Sequence, residues 1–352
     1  MSIREKFFNA MRRLDDSFVP FEFSLCPSLH QEFKRRTGVS DYAQYFNFPA
    51  RMCWLESIDR SERYKKYYRD YDQVSYLDDW GVGHKKGSVA HFTEMLHPMK
   101  EFQTIEEFEQ YPYPDAVADY KWEDVPGRVE AIKKQDLIAV AGMETTIFER
   151  AWYMRGMDQF MLDMVLYPDL ANYHLDRITE IKCEWAKRYA QAGVDVLRLG
   201  DDVSTQLDMM MSPAMWRQFI KPRLKKVIQA AKEVKPDVMI FYHGDGNLQK
   251  IIPDLIEIGV EILNPVQPEC MDPVEIKKQY GDRLSFWGTI GTQTTMPFGT
   301  PDEVRRVCRR MIEEVGKGGG LFLAPTHVLE PEVPWENIEA FIETVKSYNK
   351  QK

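Results

Sequence analysis

A histidine and an aspartate stand two residues apart, directly after an apolar run in the middle of the chain. His243 and Asp245 follow residues 238–242. In an extended backbone, side chains two residues apart point to the same side of the chain. An imidazole nitrogen and a carboxylate oxygen are both ligands for Zn²⁺. The pattern therefore predicts a catalytic zinc site, with His327 after residues 321–324 as a third ligand.

The same residues allow two other interpretations. Asp245 and Asn247 would cap the following helix while His243 fills a polar corner. A glycosidase would need two carboxylates facing each other, such as Asp202 and Asp245, but no neighbouring residues indicate a sugar substrate. A fourth metal ligand would come from Glu269 or Gln267.

Short β-branched runs alternate with helix-period segments from residue 130 onward, and this pattern predicts the elements that position these groups. The predicted strands are 137–141, 194–199, 238–242, 260–263, 284–287 and 321–324, with an earlier one at 18–23. The predicted helices are 158–192, 213–234, 247–258, 273–280 and 301–315. About eight parallel β-α units close a barrel. A doubly wound sheet is the alternative, but no GxGxxG opens a helix after a strand. We expect an α/β fold, a (β/α)8 TIM barrel.

The division of the chain follows from the same pattern. No Pro/Gly/Ser linker and no repeat separates two units, so residues 1–352 are expected to form one domain. Residues 1–130 would provide an N-terminal extension and the early barrel, and residues 131–352 the main barrel.

Catalytic groups of such barrels lie on the loops after the strands. We therefore expect the substrate to bind among polar residues that follow predicted strands: Glu144, Asp201, Asp202, Gln206, Asn264, Gln267 and Gln293. Because Asp201 and Asp202 are adjacent, only one of them is expected to face inward, and a capping role is the alternative for both. Arg150, Arg155 and Arg198 are candidates for carboxylate binding, with surface ion pairing as the alternative.

Composition limits the partners. The 352 residues carry a formal net charge of −9, which argues against a nucleic-acid partner. No apolar stretch reaches the length of a membrane span, and the first residues lack the apolar centre of a signal peptide. A cytoplasmic protein is expected.

Three segments at strand ends resemble one known family. They read FYHGDGNLQKIIPDLIEIGVEILNPVQP, FWGTIGTQTTMPFGTPDEVRR and GGGLFLAPTHVLEPEVPWENIEAF. They resemble the uroporphyrinogen decarboxylase-like family, which includes that decarboxylase and methyltransferases of corrinoid-dependent methyl-transfer systems. The resemblance runs from about residue 140 to 347 and implies a β/α barrel.

The resemblance implies different chemistry for the two branches. In the methyltransferases, the strand end that reads His243-Gly244-Asp245-Gly246 here is typically His-x-Cys-Gly, and a second cysteine stands where this chain has His327. Those residues hold zinc, so the resemblance implies a harder, less thiolate-rich site in this chain. The decarboxylases carry an early Arg-x-x-Gly-Arg motif, which residues 1–60 lack. Asp79 is the nearest candidate for their catalytic aspartate, and His327 for their histidine.

The resemblance favours a methyltransferase that moves a methyl group between a small methylated substrate and a cobalamin, folate or thiol acceptor. The cobalamin would be carried by a corrinoid partner protein. A carboxy-lyase acting on a porphyrinogen-like acid is the alternative. A non-catalytic binder of a tetrapyrrole or corrinoid protein is a second alternative. The sequence leaves the methyl donor, the acceptor and the oligomeric state open.

Overall fold

A parallel sheet with strands in chain order forms the centre of the computed structural model, which describes residues 1–87 and 93–351. Its strands are β1 (Ala50–Cys53), β5 (Ile138–Gly142), β6 (Val196–Gly200), β7 (Met239–His243), β8 (Ile262–Asn264), β9 (Ser285–Ile290) and β10 (Leu321–Pro325). These seven strands pair in the order β1-β5-β6-β7-β8-β9-β10. A small antiparallel sheet contains β2 (Tyr76–Leu77), β3 (Gly83–Lys86) and β4 (Thr93–Leu96).

The parallel sheet curls on itself. One buried apolar cluster takes side chains from all seven strands: Ala50, Ile138, Val140, Val196, Met239, Phe241, Ile262, Trp287, Phe322 and Ala324. The edge strands β1 and β10 both contribute to it, which a flat sheet of this width would not allow. The alternate residues of these strands pack outward against the helices. The chain therefore has the curled parallel sheet and outer helical layer of a barrel-like α/β fold.

The predicted early strand at residues 18–23 is a single bridge. Phe21 pairs in parallel with Leu323 of β10, through Leu323 N donating to Pro20 O at 2.9 Å and Glu22 N donating to Leu323 O at 3.3 Å. Pro20 has no N–H for a ladder, so the pairing does not extend. The first strand of the sheet is instead β1, whose short sequence Ala-Arg-Met-Cys lacks the β-branched run on which the prediction relied.

Helices follow the strands and form the outer layer. They are α1 (Ile3–Met11), α2 (Pro27–Thr37), α3 (Tyr42–Phe46), α4 (Ile105–Gln110), α5 (Val125–Lys134), α6 (Phe148–Arg155), α7 (Met157–Leu166), α8 (Pro168–Ala192), α9 (Pro213–Phe219), α10 (Lys221–Val234), α11 (Ile252–Glu257), α12 (Pro273–Tyr280), α13 (Thr295–Phe298), α14 (Pro301–Arg310) and α15 (Trp335–Gln351). Among the described residues, none of these helices has both the length and the apolar character needed to cross a membrane.

Prolines divide two helices that the sequence pattern predicted as continuous. The predicted helix 158–192 is α7 followed by α8, with Pro168 in the first turn of α8. The predicted helix 213–234 is α9 followed by α10, with Pro222 in the first turn of α10. A proline inside a helix loses one backbone hydrogen bond and clashes with the preceding turn, so each chain segment restarts as a new helix.

Helix α1 closes the amino-terminal end of the sheet. Its Phe7 and Met11 belong to the same buried cluster as the inward strand residues. Arg4 donates to Leu137 O at 2.7 Å and pairs with Asp195 at 2.6 Å, both just before a strand begins. The candidate site lies at the opposite end of the sheet, where the strands end.

Candidate functional site

A cavity of about 420 Å³ opens at the carboxyl ends of the strands. Most strands of the parallel sheet contribute a wall residue, as expected for barrel enzymes. The wall contains Glu22, Phe23, Ser24, Trp54, Gly142, Glu144, Thr145, Glu149, Arg198, Asp202, His243, Asn264, Trp287, Ala324, Pro325, Thr326, His327 and Val328.

Three of the ligand-type side chains meet at one point of this end. One ligand atom from each of Asp202, His243 and Asp245 lies within 4.8 Å of the others. His243 Nε2 is 3.6 Å from Asp202 Oδ1 and 4.0 Å from Asp245 Oδ1. The backbone supports this arrangement, because Asp245 N donates to Asp202 Oδ1 at 2.8 Å. The ends of β6 and β7 therefore bring together one imidazole and two carboxylates.

Hydrogen bonds on the far side of the ring fix the orientation of His243. Asn264 Nδ2 donates to Trp287 O at 2.6 Å, which leaves Asn264 Oδ1 as the acceptor facing His243 Nδ1 at 2.6 Å. His243 Nδ1 therefore carries a proton, and Nε2 is the nitrogen that points at the carboxylates. Metal-binding histidines commonly have their second nitrogen held in this way. Burial lowers the pKa of His243, whereas Asp245, Asp202 and the Asn264 hydrogen bond raise it. The net effect is a pKa above the ordinary value of histidine.

Asp245 has a buried carboxylate oxygen without a partner. Its Oδ1 accepts no hydrogen bond from the described residues. Burial raises the pKa of Asp245, and Asp202 adds to this, while His243 and His327 oppose it. A buried polar atom without a hydrogen bond destabilises the folded state. This oxygen is therefore suited to bind a cation.

Glu149 lies behind Asp202 and is held by two hydrogen bonds. Asp202 N donates to Glu149 Oε2, and Tyr153 OH donates to Glu149 Oε1, both at 3.0 Å. Burial, followed by repulsion from Asp202 and Asp201, raises the pKa of Glu149 to about 8. Glu149 therefore holds the Asp202 backbone in place.

A second polar group lies across the cavity. Arg198 pairs with Glu144 at 2.6 Å, and its guanidinium lies over the Phe241 ring. Trp287 Nε1 donates to Glu22 Oε1 at 2.9 Å. The cavity wall thus carries one arginine, already paired, and several carboxylates.

Five of the candidate residues from the sequence line the cavity besides His243: Glu144, Arg198, Asp202, Asn264 and His327. The metal-type cluster contains Asp202 where the sequence pattern predicted His327. His327 is exposed, and its loop after β10 keeps it outside the three-residue cluster. The sequence could not show that Asp202 takes the place of His327 in this cluster. The path of the backbone at the end of β6 decides whether Asp201 or Asp202 faces inward.

Asp201 and Gln267, predicted to bind substrate, have structural roles instead. Asp201 is fully buried and accepts hydrogen bonds from Ile147 N and Glu149 N at 3.0 Å, so it caps the start of α6. Burial raises the pKa of Asp201 to about 7. Gln267 is also buried, and its Oε1 accepts from Gly246 N at 3.1 Å.

The remaining predicted residues lie outside the cavity wall. Glu269, a predicted metal ligand, accepts from Gln293 N at 3.2 Å and from Thr294 Oγ1 at 3.0 Å, which ties down the loop after β9. Gln206 and Gln293 bind each other at 2.9 Å, both exposed. Asp79 accepts from Tyr120 OH at 2.7 Å.

Sequence reasoning missed Glu22, Trp54, Glu149 and Trp287, which all line the cavity. Glu22 had a detectable signal, since it is an ionisable residue inside an apolar run that joins the barrel. Trp54 follows a strand that the pattern did not predict. Glu149 in the first turn of α6 and Trp287 in β9 are placed by helix and strand geometry that residue types do not reveal.

Comparison with known proteins assigns the family. The family model described as uroporphyrinogen decarboxylase (URO-D) matches residues 90–348, which is more than half of the chain. The chain therefore belongs to this family. Its characterised relatives, which are methyltransferases and decarboxylases, are enzymes.

Relatives of two kinds are similar to the chain. The methylcobamide:CoM methyltransferase MtaA of Methanosarcina barkeri is 30% identical over 230 residues, a match that spans 64% of each chain. The uroporphyrinogen decarboxylase of Rickettsia africae is 27% identical over 290 residues, covering 79% of each. The structure of a methyltransferase from Methanosarcina mazei has a TM-score of 0.72 with 20% identity and covers 99% of both chains, which supports the shared fold.

Proposed function

We propose that the protein is a metal-dependent methyltransferase of the corrinoid-dependent type. It would move a methyl group between a small methylated substrate and a cobalamin on a partner protein, or a folate or thiol acceptor. The observation that carries the proposal is the cluster of Asp202, His243 and Asp245 at the cavity. The family membership and the similarity to a methylcobamide:CoM methyltransferase support it.

The three residues fit a divalent cation, and zinc is the metal that we propose. Asp245 Oδ1 is buried without a hydrogen bond, and His243 presents Nε2 because Asn264 holds Nδ1. One nitrogen and two carboxylate oxygens with a position left open resemble the ligand sets of catalytic zinc sites. Zinc held there would supply Lewis-acid activation of the heteroatom that gives or receives the methyl group.

Neighbouring residues hold the proposed metal ligands in position. Asn264 fixes the imidazole so that it does not have to reorient when substrate binds. Glu149 holds the Asp202 backbone, because its Oε2 accepts the Asp202 N–H. The cavity wall would surround the substrate beside these groups.

The charge of the cavity argues against porphyrinogen decarboxylation. A substrate with several carboxylate arms needs fixed cationic partners, which bidentate arginines usually provide. Arg198 is the one arginine among the described wall residues, and Glu144 already pairs with it. We therefore expect no coproporphyrinogen from uroporphyrinogen in an anaerobic assay.

The proposal includes four features predicted from the sequence. The sheet together with the Phe21 segment would form an eight-stranded barrel, residues 1–352 would act as one domain, and the protein would work in the cytoplasm. His327 would act on substrate from its loop.

The test of the metal site is elemental analysis of the purified protein and three variants. We expect about one equivalent of divalent metal in the wild type. His243→Ala and Asp245→Ala should lose the metal, because each removes a ligand. His327→Ala should keep it, because His327 lies outside the cluster.

Matched circular dichroism spectra would show that the variants are folded. A wild type that stays metal-free after incubation with zinc would contradict the proposal. If His327→Ala were the only variant to lose the metal, His327 would be a ligand, and the assignment of Asp202, His243 and Asp245 would be wrong.

A further inference from the structure

A second cavity lies between α14, the loop after β8 and the end of β9. Its volume is about 330 Å³, which is the size of a small-molecule site. Its wall contains Pro268, Glu269, Asp272, Pro273, Thr289, Thr294, Thr295, Arg306, Val307, Arg310 and Met311. None of these residues lines the cavity of the candidate site, so the two cavities are separate.

The hydroxyl of Thr289 is buried in this wall without a partner. Thr289 is 0% exposed, and its Oγ1 makes no hydrogen bond with the described residues. Gly288 and Thr289 have φ angles of +140° and +77°, which break the extended backbone of β9 two residues after the inward-facing Trp287. A β-branched residue rarely adopts such a φ, and strained residues are concentrated at functional sites. The unpaired hydroxyl therefore indicates a ligand in this cavity.

The carboxylate of Glu269 is only half satisfied. Its Oε1 accepts hydrogen bonds from Gln293 N at 3.2 Å and from Thr294 Oγ1 at 3.0 Å. Its Oε2 is buried and accepts none from the described residues. No cationic side chain in the described part of the chain forms an ion pair with Glu269. An ammonium group would provide both the missing donor and the missing charge.

Two arginines of α14 line the same cavity. Arg306 and Arg310 are one helical turn apart and therefore lie on the same face of the helix. Arg310 pairs with Glu314 at 3.1 Å, whereas exposed Arg306 forms no ion pair with the described residues. Hydrogen bonds from Thr300 lower the pKa of Glu303, and Arg306 adds to this only from a distance. An unpaired guanidinium is suited to bind a carboxylate.

The rest of the wall is largely apolar. Pro268 and Pro273 line it on the side of the loop after β8, and Val307 and Met311 line it from α14. The cavity thus combines a carboxylate and a hydroxyl that lack partners, an unpaired guanidinium and an apolar surface. A ligand that matches all of these features carries an ammonium group, a carboxylate and an aliphatic chain.

We propose that this cavity binds a free amino acid with an aliphatic side chain. Glu269 and Thr289 bind the ammonium group, Arg306 binds the carboxylate, and the apolar wall residues contact the side chain. This site is separate from the proposed methyltransferase site and does not depend on the reaction that takes place there.

The test is calorimetric titration of the purified protein with L-leucine and two analogues that each lack one charged group. The analogue 3-methylbutylamine lacks the carboxylate, and 4-methylpentanoate lacks the ammonium group. We expect L-leucine to bind more tightly than either analogue, because only L-leucine satisfies both Glu269 and Arg306.

Two variants separate the two ends of the ligand. Glu269→Gln should weaken binding of L-leucine by about tenfold or more and leave that of 4-methylpentanoate unchanged, since it removes the charge and keeps an acceptor for Gln293 N. Arg306→Gln, at an exposed position, should weaken binding of L-leucine but not of 3-methylbutylamine. Arg309→Gln is the matched control on the same helix. It should change nothing, because Arg309 lines a different groove.

Three results would each overturn the inference: no binding of L-leucine, tighter binding of either analogue, or equal binding of L-leucine by Glu269→Gln and wild type. Loss of L-leucine binding in folded His243→Ala would also overturn it, because the ligand would then occupy the other cavity. Binding that depends on Glu269 and persists in His243→Ala supports the site whether or not the protein transfers methyl groups. Failure of the proposed function and failure of this inference are therefore distinguishable.

Discussion

At the scale of residues, the neighbours Asp201 and Asp202 have opposite environments. Asp202 faces the cavity and lies 3.6 Å from the His243 ring. Asp201 points away, is fully buried, and accepts backbone N–H groups at the start of α6. The Asp202 carboxylate is available for chemistry. The Asp201 carboxylate accepts hydrogen bonds from N–H groups that have no partner within the first turn of a helix.

These environments predict different effects of removing each side chain. Asp201→Ala should lower the free energy of unfolding by about 2 to 4 kcal/mol, because two buried backbone donors, Ile147 N and Glu149 N, lose their acceptor. Asp202→Ala should lower it by only about 1 kcal/mol, because the Asp202 side chain is 39% exposed and accepts one backbone hydrogen bond, from Asp245 N. Urea unfolding of both variants measures the difference. Equal destabilisation would contradict the assignment.

At the scale of elements, His174 couples α8 to its neighbours in the uncharged state. Its Nε2 lies 3.1 Å from Ala151 O on α6, which can only accept, so Nε2 carries the proton. Its Nδ1 then accepts from Tyr113 OH at 2.7 Å. Protonation of Nδ1 would lose this bond and place a charge in the core. Burial lowers the pKa of His174 to about 4.

The lowered pKa predicts a loss of stability in acid. Because the unfolded chain takes up a proton near pH 6.5 and the folded chain does not, stability falls as the pH drops from 6.5 towards 4. The contribution of His174 between pH 7 and pH 5 is about 2 kcal/mol. Urea unfolding at the two pH values should show a smaller loss for His174→Gln than for the wild type. The same loss in both proteins would show that His174 does not control this pH range.

The elements were predictable where local pattern decides them. Each later strand was placed within a few residues, because a short apolar run stands between two helix-period segments. The position of β1 was missed because Arg51 and Cys53 give no strand signal, and pairing with β5 alone orders this segment. In the site, His243 and Asp245 were predicted from their spacing, whereas the choice of Asp202 over Asp201 depends on the loop after β6. Glu22 reaches the cavity through long-range pairing with β10.

At the scale of the whole molecule, the two ends of the sheet have different roles. Helix α1 seals one end with Phe7, which is fully buried and contacts the rings of Trp287 and Phe322. The other end carries the cavity and the ionisable groups. In barrel enzymes the first end mainly serves stability and the second serves chemistry.

This division predicts that the closed end can be weakened without loss of the site. Phe7→Ala should lower the free energy of unfolding by about 3 to 5 kcal/mol, the usual cost of removing a buried phenylalanine. Metal content should stay at the wild-type value, because Phe7 lies at the opposite end. Phe298→Ala is the matched control, since Phe298 is 76% exposed and should change stability by less than about 0.5 kcal/mol. Loss of metal in folded Phe7→Ala would show that the two ends are coupled.

Methyl transfer itself tests the central claim most directly. The measurement is the absorption spectrum of cob(I)alamin under anaerobic conditions, mixed with zinc-loaded protein and with methyl ethers or methylated amines in turn. We predict that at least one donor produces methylcobalamin with the wild type and that His243→Ala abolishes the reaction. No methylcobalamin from any donor, together with release of carbon dioxide from a porphyrinogen acid, would contradict the account and identify a lyase.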